Sequence, residues 1–253
     1  MNGAVNGIIG YALLEMDIVY EPSAVRMISF VANNDGNYIC FSPISKIPQF
    51  RVQTMHYIAH LSKDARMRKV LSEQDPVELI PHKNIPLRLC ASIMSQQLST
   101  KVAKILFHRF LELYGGAEPT PQQIAATPFE TLRGIGLSNA KTQYVLNVAQ
   151  FAIDHKLDDK KLVKMSNEEI IALLIQIKGV GQWTVEMLLM FTLGREDVFS
   201  VDDYGIQQAM KKIYKLDDAN KKELKEAMKK IAAKWSPYRT YACRHLWQWK
   251  DNE

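Results

Sequence analysis

The sequence predicts a mainly α-helical fold preceded by a short β-containing extension. Three observations carry this prediction. From about residue 54 onward, apolar side chains recur at helical spacing. Two helix–Gly-x-Gly–helix units punctuate that stretch, and residues 1–53 have a different, strand-like composition.

Within residues 1–53, "VRMISFVA" and "NYICFSPI" flank the turn signal "NNDGN", which predicts a β-hairpin or the remnant of a larger domain. The stretch "IPLRLCASIMSQQLSTKVAKILFHRFLELYGG" then reads as two helices closed by Gly115 and Gly116. Thr120 before Pro121 is an N-cap with proline at the first helical position. Thr127 with Glu130, and Ser166 with Glu169, both have capping-box spacing. Each box opens a helix that runs into a glycine turn: Gly134-Ile135-Gly136 in one case and Gly179-Val180-Gly181 in the other. A helix follows each turn, "LSNAKTQYVLNVAQFAI" after the first, with Ser138 as its cap, and "QWTVEMLLMFTL" after the second. "KKELKEAMKKIAAKW" places Leu224, Met228 and Ile231 on one face, and "SPYRTYACRHLWQWK" completes the last helix.

Composition narrows the function classes. Hydrophobic residues make up 47% and charged residues 23% of the 253, as in an ordinary globular protein. No apolar run approaches the roughly 18 residues that a membrane span needs, and no basic leader precedes the first apolar stretch. Cys40, Cys90 and Cys243 are scattered without a Cys-x-x-Cys pair, so a disulfide framework and a cysteine zinc site are not expected, and a reducing intracellular compartment is. The net charge of +5 arises after residue 53, where 29 basic side chains face 23 acidic ones, and this suits a polyanion partner.

A Gly-x-Gly turn between helices has two readings. Glycine permits a tight corner at positive φ. Alternatively, the bare backbone N–H groups at the next helix start grip a phosphate. Gly181 is followed after 22 residues by Asp203 in "SVDDYG", which is far more specific than the turn alone.

With "SIMSQQLSTKVA", "LRGIGLSNAKTQYV", "IKGVGQWTVEM", "DVFSVDDYGIQ" and "WSPYRTYACRHLW", in family order within residues 75–249, the chain resembles the helix-hairpin-helix (HhH-GPD) DNA glycosylases. Within them it looks most like the 3-methyladenine DNA glycosylase II (alkylbase-DNA glycosylase) branch. It departs from that pattern where Ile177-Lys178-Gly179 replaces the usual Leu-Pro-Gly, and in the first 50-odd residues, which match nothing in the family.

The resemblance implies a two-lobed helical glycosylase domain over residues 54–253, with the active site between the lobes. It makes Asp203 the catalytic carboxylate and leaves Asp202 mainly a helix cap. Gly179, Val180, Gly181, Gln182 and Thr184 become DNA-backbone contacts, and Gln97, or alternatively Leu98, the wedge that fills the gap left by a flipped base. Trp183 and Trp247 become an aromatic slot for a cationic alkylated purine, with Met187 and Tyr204 beside it; each of these aromatics reads equally well as core. Trp183 stands where bifunctional relatives carry a nucleophilic lysine, so the expected enzyme is monofunctional. His108 and His245 read as structural.

The expected activity is removal of 3-methyladenine- and 7-methylguanine-type bases from double-stranded DNA. The expected protein is a monomer, without a cofactor and away from membranes, in the cytoplasm of a prokaryote or the nucleus of a eukaryote. No metal is required, although the carbonyls of Ile175, Ile177 and Val180 match those that hold a monovalent cation in that superfamily. Two other readings remain open: a glycosylase for deaminated or mismatched bases, and a non-catalytic DNA-binding module.

Overall fold

The computed structural model describes residues 56–252, and these form helices joined by turns and by longer connections, among them residues 73–84 and 193–203. The hairpin expected within residues 1–53 lies outside the described residues.

Residues 56–61 are helical (α1). There follow α2 (Ala65–Ser72), α3 (Ile85–Ser95), α4 (Thr100–Glu112), α5 (Pro121–Ala126), α6 (Phe129–Gly134) and α7 (Asn139–Asp154). The chain continues through α8 (Asp159–Lys164), α9 (Asn167–Leu174), α10 (Gln182–Met187), α11 (Tyr204–Tyr214), α12 (Lys221–Ala232) and α13 (Arg239–Asp251).

The axis of the fold is α3, whose eleven residues are all buried. A helix apolar on every side must be surrounded, and α3 packs against α4, α7, α10 and the turn that follows α10. Its one charged side chain, Arg88, is offset by Glu118 at 2.8 Å. Leu87, Leu89, Ile93 and Met94 are fully covered; each contributes about 1.5–3 kcal/mol of burial.

Two groups of helices flank this axis. In one, α5 and α6 lie on α7; in the other, α2 and α11 lie on α13. The pair α9–α10 packs through α10 against α3. Beyond Met187 the helix widens into one π-helical turn, Leu188–Thr192, buried throughout. A π-turn rotates the side chains after it relative to an α-helix, and here Phe191 comes to face the last helix.

Local signals are realised with one exchange. Ser166 and Glu169 close a reciprocal capping box, and Ser138 caps α7. The second box is not at Thr127. Thr120 and Gln123 form it at the start of α5, while Thr127 ends that helix by donating its hydroxyl to the Gln123 carbonyl at 2.8 Å. Pro128 already presets the backbone at the start of α6, and no side chain caps it.

His245 is structural, bridging Gln74 (2.7 Å) and Tyr57 (3.3 Å); burial pushes its pKa down to about 4. His108 is exposed rather than packed, lying 3.5 Å from Glu112 one turn on.

Candidate active site

The second hairpin is built by contact with the first. Gly179 adopts φ +105°, and a Cβ there would lie 2.1 Å from Cγ of Tyr144 on α7. Asn147, one turn further along α7, donates to the Lys178 carbonyl at 3.0 Å. Glycine is therefore required twice, for its backbone angle and for the ring pressed against it. Val180 is buried, its N–H donating to the Ile177 carbonyl at 3.0 Å. Gly181 is exposed and caps α10 without any side-chain hydrogen bond, so no side chain caps the first N–H groups of that helix.

The loop that follows α10 returns the chain to the hairpin and ends at Asp203. Its carboxylate is 1% exposed and receives three N–H donors. The Ile206 backbone (2.9 Å) and the Trp247 indole (2.8 Å) donate to Oδ1, and the Trp183 indole (2.9 Å) donates to Oδ2. These donors come from α11, α13 and α10, so one carboxylate ties three helices together. Gly205 admits this arrangement, because a Cβ there would approach Trp247 to 3.0 Å and Asp203 Oδ1 to 3.2 Å.

Several expected roles change. Asp203 itself is the helix cap, whereas Asp202 is exposed and ion-paired with Lys225. The cap must accept from N3 of α11, and only the second aspartate is placed to do so. Trp247 is buried, with its ring stacked on Phe191 at 5.7 Å; it orients the carboxylate rather than walling an open slot. Trp183 is half-buried and keeps a solvent-facing side. Met187 is fully buried core. Tyr204, the residue after the cap, is 40% exposed.

Thr184 is buried and bonded by Gln96 at 3.3 Å, and so supports the neighbouring loop rather than facing outward. Gln97 is exposed at φ +58°, while Leu98 packs partly against the core. Ile175 is exposed and Ile177 buried, and the Ile177 carbonyl accepts the Val180 N–H. Among the described residues no group of three His, Cys, Asp or Glu could hold a metal ion. Burial pushes the Cys90 thiol up to about 12 and Cys243 higher still, so neither is a thiolate.

Glu186 was not apparent from the sequence. It is 5% exposed, one turn into α10. Gln182 donates to its Oε1 at 2.9 Å and Ser200 to its Oε2 at 2.5 Å. The Ser200 carbonyl in turn accepts the Asp203 N–H at 3.2 Å, so the hairpin helix and the loop ending at Asp203 share one buried network. Burial raises the Glu186 pKa above the usual 4.5, and the charges of Asp202 and Asp203 add to the rise.

A raised native pKa means that the folded state holds this proton more tightly than the unfolded chain does. The stabilisation is complete below pH 4.5 and is lost as pH climbs through the raised value. Glu186→Gln cannot ionise. Across that window, stability of wild type relative to Glu186→Gln is expected to fall with rising pH, read from paired thermal melts; parallel profiles would refute the assignment.

Comparison with known proteins agrees with this geometry. Residues 90–234, more than half the chain, match the family described as HhH-GPD superfamily base excision DNA repair protein. DNA-3-methyladenine glycosylase 1 of Schizosaccharomyces pombe is 34% identical over 185 residues, covering 72% of this chain and 80% of that one. Among solved structures, the DNA-3-methyladenine glycosidase of Bacillus halodurans superposes with a TM-score of 0.68 at 34% identity, over 77% of this chain and 88% of its own. The S. pombe 3-methyladenine DNA glycosylase in complex with abasic DNA superposes equally well, with a TM-score of 0.68 at 32% identity, over 76% and 95%. A buried aspartate one loop beyond a glycine hairpin, the family match and these relatives converge: the chain belongs to the HhH-GPD superfamily of base excision DNA repair proteins, in its 3-methyladenine DNA glycosylase branch.

Proposed function

We propose that this protein is a monofunctional glycosylase that removes alkylated purines of the 3-methyladenine and 7-methylguanine class from duplex DNA. The observation that carries the reading is the Asp203 carboxylate, fixed by two indole N–H groups beside an uncapped hairpin helix. Breaking the N-glycosidic bond builds positive charge on the sugar, and a carboxylate already held in place stabilises it without reorganising. Trp183 is the part-exposed donor of the three, so the sugar approaches from its side. Its indole face attracts a cationic base by roughly 0.5–2 kcal/mol. Such a base is a good leaving group, and hydrolysis then needs no strong general acid.

Around this centre, the N–H groups after Gly181 suit a DNA phosphate, and exposed Gln97 suits the gap left by a flipped base. The abasic DNA bound by the S. pombe relative is the product such a reaction leaves. Among the described residues no helix is long and apolar enough to cross a membrane.

Single-turnover assays on duplexes carrying 3-methyladenine, 7-methylguanine, hypoxanthine, uracil or 8-oxoguanine test the reading. The two alkylated purines are expected to be released, the abasic strand to stay intact until alkali treatment, and borohydride to trap no covalent adduct. Faster release of hypoxanthine or uracil would reassign the substrate, and a trapped adduct would overturn the monofunctional mechanism. Binding without release of any base would leave a DNA-binding module.

A further inference from the structure

The first helix–Gly-x-Gly–helix unit has no part in the chemistry above, although it copies the form of the second. Its turn faces protein. Gly136 lies at φ +111° with Leu106 of α4 3.0 Å from where its Cβ would be, and Arg109 of α4 donates to the Ile135 carbonyl at 3.2 Å. The turn is thus docked on α4, and it launches α7 from a fixed point.

What α7 delivers from that point is Lys141. This lysine sits in the first helical turn, where the positive end of the helix dipole disfavours a cation. It is half-buried, and desolvation lowers its pKa. Both costs are offset at one place. The Lys141 ammonium donates to the carbonyls of Met94 (2.9 Å) and Gln96 (2.5 Å), at the C-terminal end of α3, where free carbonyls and the negative end of a dipole meet.

The next residue is Gln97, exposed in a left-handed conformation that a non-glycine residue seldom keeps. Its neighbours hold it there. On the far side from Lys141, the Gln96 side chain donates to Thr184 on the hairpin helix, and the Leu98 N–H donates to the Ser95 carbonyl at 3.1 Å.

We propose that Lys141 is the positioning residue of the strand-opening loop: its two carbonyl bonds hold the Gln96–Gln97 backbone so that Gln97 projects into the duplex. The first hairpin unit is then the bracket that aims the wedge, while the second grips the backbone. This inference rests on the reading of Gln97 as the wedge.

A double-mutant cycle separates the two claims. Gln97→Ala, Lys141→Met, Lys141→Arg and the Gln97→Ala/Lys141→Met double variant are compared for single-turnover release of 7-methylguanine from duplex DNA. Duplex opening is read separately from the fluorescence of a 2-aminopurine beside the lesion, which reports unstacking even where excision is slow. Gln97→Ala and Lys141→Met are each expected to lower the rate and the opening signal about tenfold, roughly a third to a half of the few kcal/mol that flipping costs. The double variant should be no slower than Gln97→Ala alone, because residues acting through one contact are not additive. Lys141→Arg, which keeps charge and donors, should restore the opening signal to within about threefold of wild type.

A multiplicative loss in the double variant, or full opening by Lys141→Met beside a defective Gln97→Ala, overturns the role given to Lys141 alone. Full opening by Gln97→Ala overturns the wedge reading and this proposal with it. Thermal melts accompany each variant; should Lys141→Met unfold, Lys141→Arg and its double with Gln97→Ala complete the cycle, and an Arg variant as slow as Gln97→Ala overturns the proposal.

Discussion

Asp203→Asn is expected to slow base release by on the order of 10²–10³-fold in single turnover while leaving DNA affinity within about threefold, the range seen when one fixed electrostatic partner is removed from a reacting centre. Asparagine caps helices as well as aspartate does, so the bond to the Ile206 N–H persists. The amide, however, offers one oxygen where the carboxylate offered two, and one of the two indole N–H groups then faces an NH₂. Leaving a buried donor unmatched costs about 1–3 kcal/mol, and for a chain of this size that lowers the melting temperature by about 2–12 °C. The variant should therefore be folded at 25 °C, by circular dichroism, and nearly inert. Undiminished release would remove Asp203 from the mechanism.

Gly179→Ala is expected to cost about 3 kcal/mol or more of stability and to weaken duplex binding severely. Two penalties coincide there. Alanine is strained at φ +105°, by about 1–3 kcal/mol, and its methyl would overlap the Tyr144 ring. Overpacking at such a contact typically adds 1–3 kcal/mol. The ring cannot simply withdraw, because α7 also holds the hairpin through Asn147. Denaturant melts and fluorescence anisotropy on an undamaged duplex measure both effects. Gly181→Ala is the internal control: its φ is −95°, and no atom lies within 4 Å of where its Cβ would be. Equal losses in the two variants would remove the ring contact from the explanation.

The sequence displayed whatever depends on neighbours in the chain. Ser166, Ser138 and Thr120 were recognisable as caps because capping is decided within four residues. The hairpin-to-aspartate spacing marked Asp203, since one carboxylate at one distance from a glycine turn survives without three-dimensional information. Other features needed the fold. Glu186 reads as an ordinary helix charge until the Ser200 loop closes over it fourteen residues later. Trp247 read equally well as pocket wall and as core until the π-turn brought Phe191 against it. Met187 illustrates the limit of periodicity, which marks an apolar side but does not distinguish a core from a pocket wall. Between Asp202 and Asp203 the residue types are identical, and only the start of α11 separates a cap from an ion pair.

The indole clamp on Asp203 also constrains how this protein can evolve. On the proposed function, Trp183 offers a face to the base while its indole edge donates to the carboxylate, so a change that re-tunes which lesion is accepted would also loosen the group proposed to cleave it. Phenylalanine or tyrosine would keep an aromatic surface and lose the N–H. Selection for a new lesion is thereby steered away from the tryptophans and toward positions lacking this double duty, and descendants with altered base preference should still carry both indoles.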